Sequence, residues 1–309
     1  MGSISSALAN ALPRMKLTKK QSDGLTGLLM VLPACLLTLV FVIVPVVVTF
    51  YLSFFDWSFY HESQPVGLEN YRKIVFDPWF WNSIWVGVKF TFWNMTISTL
   101  LAFIVALAMR GMSGRSAGVT KTLVYLPTII SGIIVSYIFV FMYNYRGGIL
   151  NTVIGFFGVK PQAWLINPRT AMFSIVFPSI WLAVGYKALV LLAGINDIPA
   201  QYYEAASLDG ANSLQKLMYI TLPCLKNVFF YLIVTGIVAA MQMFDLSRFI
   251  TNGGPQGLTT MPVLYIYNRF TSDLFLGPSM AGALILAAVL GSFSWTIFRI
   301  VSSEKNTYD

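Results

Sequence analysis

Long apolar runs separated by short polar segments set the rhythm of this chain. Residues 25–55 contain no charge, enough for a tilted helix across a hydrocarbon core of about 30 Å. Pro45 predicts a bend in that run, and Asp56 ends it. Further apolar runs cover residues 84–109, 122–145, 171–195, 228–250 and 274–298. Lys89 interrupts the second, Lys187 the fourth and Asp245 the fifth. The pattern predicts an all-α integral membrane protein with six transmembrane helices and both termini on one side. A domain scheme follows: an arm over 1–24, a six-span domain over 25–300 and a tail over 301–309. The first run is too long for a cleaved leader, and no small-residue cleavage site follows it.

Composition narrows the class further. The chain is 57% apolar, 15% aromatic and only 10% charged, with a mean hydropathy of +0.71. These values exclude an ordinary soluble domain, a disordered chain and a disulfide scaffold. Cys35 and Cys224, in or beside apolar runs, read as small core residues. The net charge of +8 comes with no basic stripe or arginine-rich tract, which excludes nucleic acid as a partner and leaves lipid. Basic residues instead set the orientation. Arg14, Lys16, Lys19 and Lys20 precede the first span, and Arg110, Arg115 and Lys121 follow the second. Asp56, Glu62, Glu69 and Asp77 lie between those two spans. The expectation is cytoplasmic termini. Within the arm, Ile4, Leu8 and Leu12 share a helical spacing that Pro13 weakens, so it reads as a frayed tail.

Catalytic chemistry is missing from the sequence. No Gly-Lys dipeptide occurs, hence no phosphate-binding P-loop. The only histidine, His61, stands in a loop without clustered ligands, so no metal site is expected. No nucleophile has a recognisable setting, and the chain reads as a non-enzyme with no cofactor of its own and no catalytic residue. Three arrangements stay open for the intramembrane charges: Lys89 with Asp245, Asp245 with Arg248, or Lys89 reaching to the interface. Lys187 lies too deep for Asp245, and faces either a pore or the cytoplasm.

Residues 196–227 form a connection with its own order. Asp197 can cap a helix with Pro199 in its first turn, ending near Leu208. Asp209-Gly210 supplies a turn, and Ser213 can cap a second helix with Leu214, Leu217 and Met218 on one face, closed by Pro223. Two short helices at an angle then present Ala205 and Ala206 beside a single carboxylate, Glu204.

That segment carries a resemblance. Glu204-Ala205-Ala206, Gly210 and Ile220-Thr221-Leu222-Pro223 resemble the EAA loop of ABC importer permeases. Val66-Gly67-Leu68-Glu69-Asn70-Tyr71 and Thr251-Asn252-Gly253-Gly254-Pro255 are similar to the external segments of the carbohydrate-uptake class, which includes maltose, oligosaccharide and glycerol-phosphate permeases. The chain departs from that class at Gly87-Val88 and Lys187.

The resemblance implies two short cytoplasmic coupling helices between spans four and five, with Glu204, Ala205, Ala206, Gly210, Leu214, Leu217, Met218 and Pro223 facing an ATPase. It implies a substrate pathway holding Tyr186 and Gln242, with Trp181, Asp245 and Lys187. It implies a multi-pass protein of the prokaryotic plasma (inner) membrane that imports a sugar or sugar-like solute. The implied partners are a second homologous permease chain in a heterodimer, two ATP-binding subunits carrying ATP and Mg, and an extracytoplasmic solute-binding protein. The rival class is an ion-coupled secondary transporter of a small polar solute.

Overall fold

The computed structural model describes residues 19–57, 62–271 and 274–305. The N-terminal arm with Ile4, Leu8 and Leu12, and the loop histidine His61, lie outside the described residues. Contacts divide the chain into two units at Leu52 and Ser53.

The first unit is one apolar rod. Helix α1 (Lys19–Thr38) continues through a π-turn at Leu39–Ile43 into α2 (Val44–Leu52). The widened turn sits just ahead of Pro45, whose ring and missing N–H disfavour regular helix there. Its side chains from Leu28 to Tyr51 are nearly all exposed, Met30 at 77% and Phe41 at 72%. In a membrane span such exposure means contact with lipid or protein rather than with water.

The second unit starts with a short hairpin, β1 (Phe55–Asp56) antiparallel to β2 (Gln64–Pro65). Helix α3 (Glu69–Val75) follows, then α4 (Pro78–Met109), the longest helix here. Asp77 caps α4 by accepting from the Trp79 N–H at 2.8 Å, and Pro78 takes the first helical position, where no donor is needed.

The third apolar run is not one straight helix. Helix α5 (Gly114–Tyr125) passes through a 3-10 turn at Leu126–Ile129 and meets α6 (Gly132–Met142) at 91°. Pro127 removes a backbone donor there, and hydropathy alone runs straight across the corner. After α7 (Ile149–Phe156), α8 (Ala171–Asn196) runs unbroken through Pro178.

The next connection holds α9 (Ala200–Leu208) and α10 (Ser213–Lys216), a π-turn at Leu217–Thr221 and α11 (Leu222–Cys224). The segment Ser213–Cys224 bends by 59° into α12 (Lys226–Met241). The fifth run therefore leaves its helix at Met241, and a π-turn follows at Ser247–Thr251. Helices α13 (Pro262–Thr271) and α14 (Leu276–Lys305) complete the chain. Among the described residues four helices are long and apolar enough to span a membrane, or up to six spans if each bent pair forms one.

Helices α4 and α8 form the central pair. Ala102, Ala106 and Ala188 are fully buried between them, with Leu191, Ile195, Leu225 and Leu232 closing one end of the core. Small residues let the two backbones approach without the hydrophobic drive that operates in water. Phe90, Val135, Phe139, Ile175 and Leu246 form a second cluster. Contrary to expectation, both cysteines are exposed. An apolar setting in a membrane chain does not distinguish core from lipid-facing surface.

Candidate functional site

Polar groups come together in a partly open cavity, in an elbow of short helices and beside the N-terminal end of α4. The cavity, of about 380 Å³, lies where α4, α8, α12 and the 3-10 turn converge. Its polar wall is Asn94, Thr128, Ser179, Tyr186, Lys187 and Thr235. Asn94 Nδ2 donates to Ser179 Oγ at 2.8 Å, and the Tyr186 and Tyr231 hydroxyls lie 2.9 Å apart. Thr128 Oγ1 donates to the Leu182 carbonyl at 3.0 Å, which ties the corner of the third run to α8. Gly236 lets α12 approach, since a Cβ there would lie 2.5 Å from Met95 Sδ.

Of the five residues expected along a pathway, two meet in this cavity. Tyr186 and Lys187 both line it. Lys187 neither opens to a wide pore nor reaches toward a helix end: it is 5% exposed and points at α4. Its Nζ donates to Ser98 Oγ at 2.7 Å and to Thr99 Oγ1 and Met95 Sδ at 3.3 Å each. Trp181 lines a separate apolar recess with Val124, Pro127, Phe177 and Gly185, five positions round the helix from Tyr186. Gln242 is exposed at the C-cap of α12, where its N–H bonds the Val238 carbonyl at 3.2 Å. Asp245 packs on Gly132, where a Cβ would stand 2.7 Å from its Oδ2.

Neither expected ion pair of Asp245 forms among the described residues. Arg248 donates to Asn252 Oδ1 at 2.5 Å and lies over the Tyr267 ring, while Lys89 Nζ lies 5.6 Å from the Trp85 ring centre. Nearby aromatic faces and a side-chain amide take up both cations. Asn94, Thr128, Ser179 and Thr235 were missed as cavity residues. The available signal was their polarity inside otherwise apolar runs.

The elbow is built by turn chemistry. Helix α9 ends in a glycine stop: Gly210 has φ +79°, its N–H bonds the Ser207 carbonyl at 3.1 Å, and the Ala211 N–H bonds the Ala206 carbonyl at 2.8 Å. Asn212, not Ser213, caps α10. Its Oδ1 accepts from the Gln215 N–H at 2.9 Å, and Gln215 Oε1 accepts from the Asn212 N–H at 2.8 Å. Asp197 caps α8 at its C-terminal end without a side-chain bond, and Pro199 stands at the N-cap of α9. Pro223 lies in the first turn of α11 rather than closing a helix, and the break comes at Leu225.

The expected face splits at the π-turn. Leu214 (66% exposed) and Met218 (53%) face outward, while Leu217 is half-buried beside Arg110 and Thr221. Glu204, Ala205, Gly210 and Pro223 are exposed, and Ala206 is half-buried. Sequence reasoning did not single out Leu208 and Tyr219, exposed by 90% and 79%. Nor did it find the contacts that fix the elbow to α4. The Arg110 guanidinium stacks 4.2 Å from the Tyr203 ring centre, and the Tyr203 hydroxyl pairs with Thr221 Oγ1 at 3.0 Å.

At the other end of α4, Asp77 Oδ2 accepts from the Tyr265 hydroxyl and the Arg269 guanidinium, both at 2.5 Å. Burial alone would raise the Asp77 carboxyl. The bonds from Tyr265, the Trp79 amide and Arg269 outweigh it and hold the group below its usual range.

Comparison with known proteins places this arrangement. Residues 98–304 match the family described as binding-protein-dependent transport system inner membrane component. The trehalose/maltose transport system permease protein MalF of Thermococcus litoralis is 36% identical over 265 residues, covering 85% of this chain and 89% of its own. The arabinooligosaccharides transport system permease protein AraP of Bacillus subtilis is 29% identical, covering 88% and 87%. The fold matches a chain of a bacterial ABC transporter involved in the import of the acidic polysaccharide alginate. There the TM-score is 0.78 at 21% identity, over 91% of this chain and 96% of that one. The family match spans most of the chain and the relatives cover it nearly end to end: the chain belongs to the inner-membrane components of binding-protein-dependent transport systems.

Proposed function

We propose that this chain is the permease subunit of an ABC importer for a saccharide or saccharide-like solute. The observation that carries the reading is the elbow. Glu204-Ala205-Ala206 sit on a helix stopped by a left-handed glycine, next to exposed Leu208, Leu214 and Tyr219, in a chain of this transport family. Exposed apolar side chains on a short, capped, polar-fixed element suit a protein partner. Relatives named for trehalose/maltose and arabinooligosaccharide transport support the solute class.

In this reading the elbow seats in an ATP-binding subunit, and two such subunits hold ATP and Mg. A second, homologous permease chain completes the pore, an extracytoplasmic binding protein delivers the solute, and both termini are cytoplasmic. Arg110 and Thr221 transmit elbow motion to α4 and α12, so closing of the ATPases favours one of two arrangements of the spans. The cavity holding Tyr186 and Lys187 is the part of the pathway within this chain. The family match over residues 98–304 favours this reading over the ion-coupled alternative.

Gly210→Asp tests the coupling role. Open space surrounds Gly210, so the change strains only the backbone and adds a charge at the elbow. Cells carrying the variant should hold normal amounts of the chain in the membrane and lose uptake of labelled maltose or arabino-oligosaccharide. Full uptake would remove the elbow from the mechanism.

A further inference from the structure

We propose that the cavity selects a solute carrying an acidic group, with Lys187 as its counter-ion. The inference rests on the saccharide-import reading and names the chemical class within it. Lys187 stands roughly 14 Å from the C-terminal end of α8, at about 1.5 Å per residue, well inside the span. A cation there is costly unless it is paired or serves a ligand. Its ammonium has only neutral partners: the hydroxyls of Ser98 and Thr99 and the sulfur of Met95. Among the described residues no aspartate or glutamate lines the cavity. The one intramembrane carboxylate with a chance of pairing, Asp245, packs on Gly132 instead.

Lys187 also borders the cavity. Lys187 and Gly236 both line the cavity, and a Cβ on Gly236 would lie 3.7 Å from Lys187 Nζ. The missing side chain at Gly236 makes room for Met95 Sδ against the ammonium, while Lys187 itself still lines the cavity. The remaining polar wall is made of hydroxyls and one amide, from Asn94, Thr128, Ser179, Tyr186 and Thr235, all able to bond sugar hydroxyls. One full positive charge, no negative charge and several neutral donors describe a receptor for a polyhydroxylated anion. A uronate or a sulfonated or phosphorylated sugar meets that description. A neutral sugar would leave the buried cation without a counter-ion.

The test uses the whole transporter in cells, with labelled digalacturonate and labelled maltose as probes. The wild-type chain should import digalacturonate. Lys187→Gln should cut that uptake by about tenfold or more, the size of a lost charge-assisted hydrogen bond. Lys187→Arg should restore most of it, and in Lys187→Gln maltose uptake should fall by a clearly smaller factor than digalacturonate uptake. Immunodetection of the chain in membranes separates lost transport from lost protein. Import of maltose without digalacturonate by the wild type, or equal loss of both solutes in Lys187→Gln, would overturn the acidic-solute proposal and leave saccharide import standing. Import of neither solute by the wild-type chain would overturn both.

Discussion

Gly185 is the tightest point between α8 and the bent third span, and it makes a sharp prediction. A Cβ at Gly185 would lie 2.1 Å from the Val124 carbonyl oxygen and 3.1 Å from Thr128 Oγ1. An ordinary carbon–oxygen contact is about 3.3–3.6 Å, so Gly185→Ala requires α5 and α8 to part by roughly 1.2 Å or more. The obstacle is backbone, which cannot swing aside as a side chain would. Overpacking of this kind costs about 1–3 kcal/mol, while replacing a helical glycine by alanine returns at most about 1 kcal/mol. A rigid backbone obstacle puts the cost at the upper end of that range, and the net expectation is a loss of about 2 kcal/mol.

Gly118→Ala is the matched control, because Gly118 lies in α5 itself with nothing within 4 Å of its would-be Cβ. That variant should be neutral or gain up to about 1 kcal/mol. The assay is the melting temperature of the detergent-solubilised protein, read by fluorescence-detected size exclusion. Gly185→Ala should melt several degrees below wild type and Gly118→Ala at or above it. If Gly185→Ala matched or exceeded wild type, the close approach of α5 and α8 would be refuted.

Two further perturbations test other parts of the molecule. The bonds to Asp77 hold its pKa below the ordinary 3.8, so its contribution is complete above that pH and is lost as pH falls through the lower folded value. Asp77→Asn should cost about 1–2 kcal/mol at pH 7 and remove that acid-side decline in melting temperature; an unchanged decline would assign it to other groups. Asn151, 6% exposed, accepts from the Gln162 N–H and the Trp164 indole and donates to the carbonyls of Asn144, Tyr145 and Gln162. Asn151→Ala should cost about 2–3 kcal/mol locally and speed amide exchange across residues 145–164, and unchanged exchange there would contradict its role as the hub of that segment.

Much of the architecture was legible because the membrane makes apolar length decisive, and the elbow was legible because its turn chemistry is local. Gly210 stops α9 where the Asp209-Gly210 pair said it would. The Asn212–Gln215 capping box was equally readable, although Ser213 drew attention first. The central packing face was written in α4 as Ser83, Gly87, Thr91, Asn94, Ser98, Ala102 and Ala106, buried residues three or four apart. It marks a small and polar stripe on a helix that is mostly apolar elsewhere, and a hydropathy profile averages it away. Even the departure at Gly87 has a local reason, since a Cβ there would meet Met241 Sδ at 2.9 Å.

What stayed hidden depends on contacts between distant residues. The 91° corner joins two segments that are both apolar, and only Pro127 betrays it. The partners of Lys187 come from α4, and no local pattern connects Lys187 with Ser98. Trp181 and Tyr186 are close in sequence, yet the turn of α8 sends them to different recesses.

Under the proposed function, ATP hydrolysis on partner chains drives transport. This is tested most directly in vesicles reconstituted with the complex that co-purifies through a tag on this chain. Labelled saccharide uptake is measured with ATP, with a non-hydrolysable analogue, and with ionophores that collapse ion gradients. Uptake should need hydrolysable ATP and persist with ionophores. Uptake that proceeds with the analogue and stops with ionophores would contradict this reading.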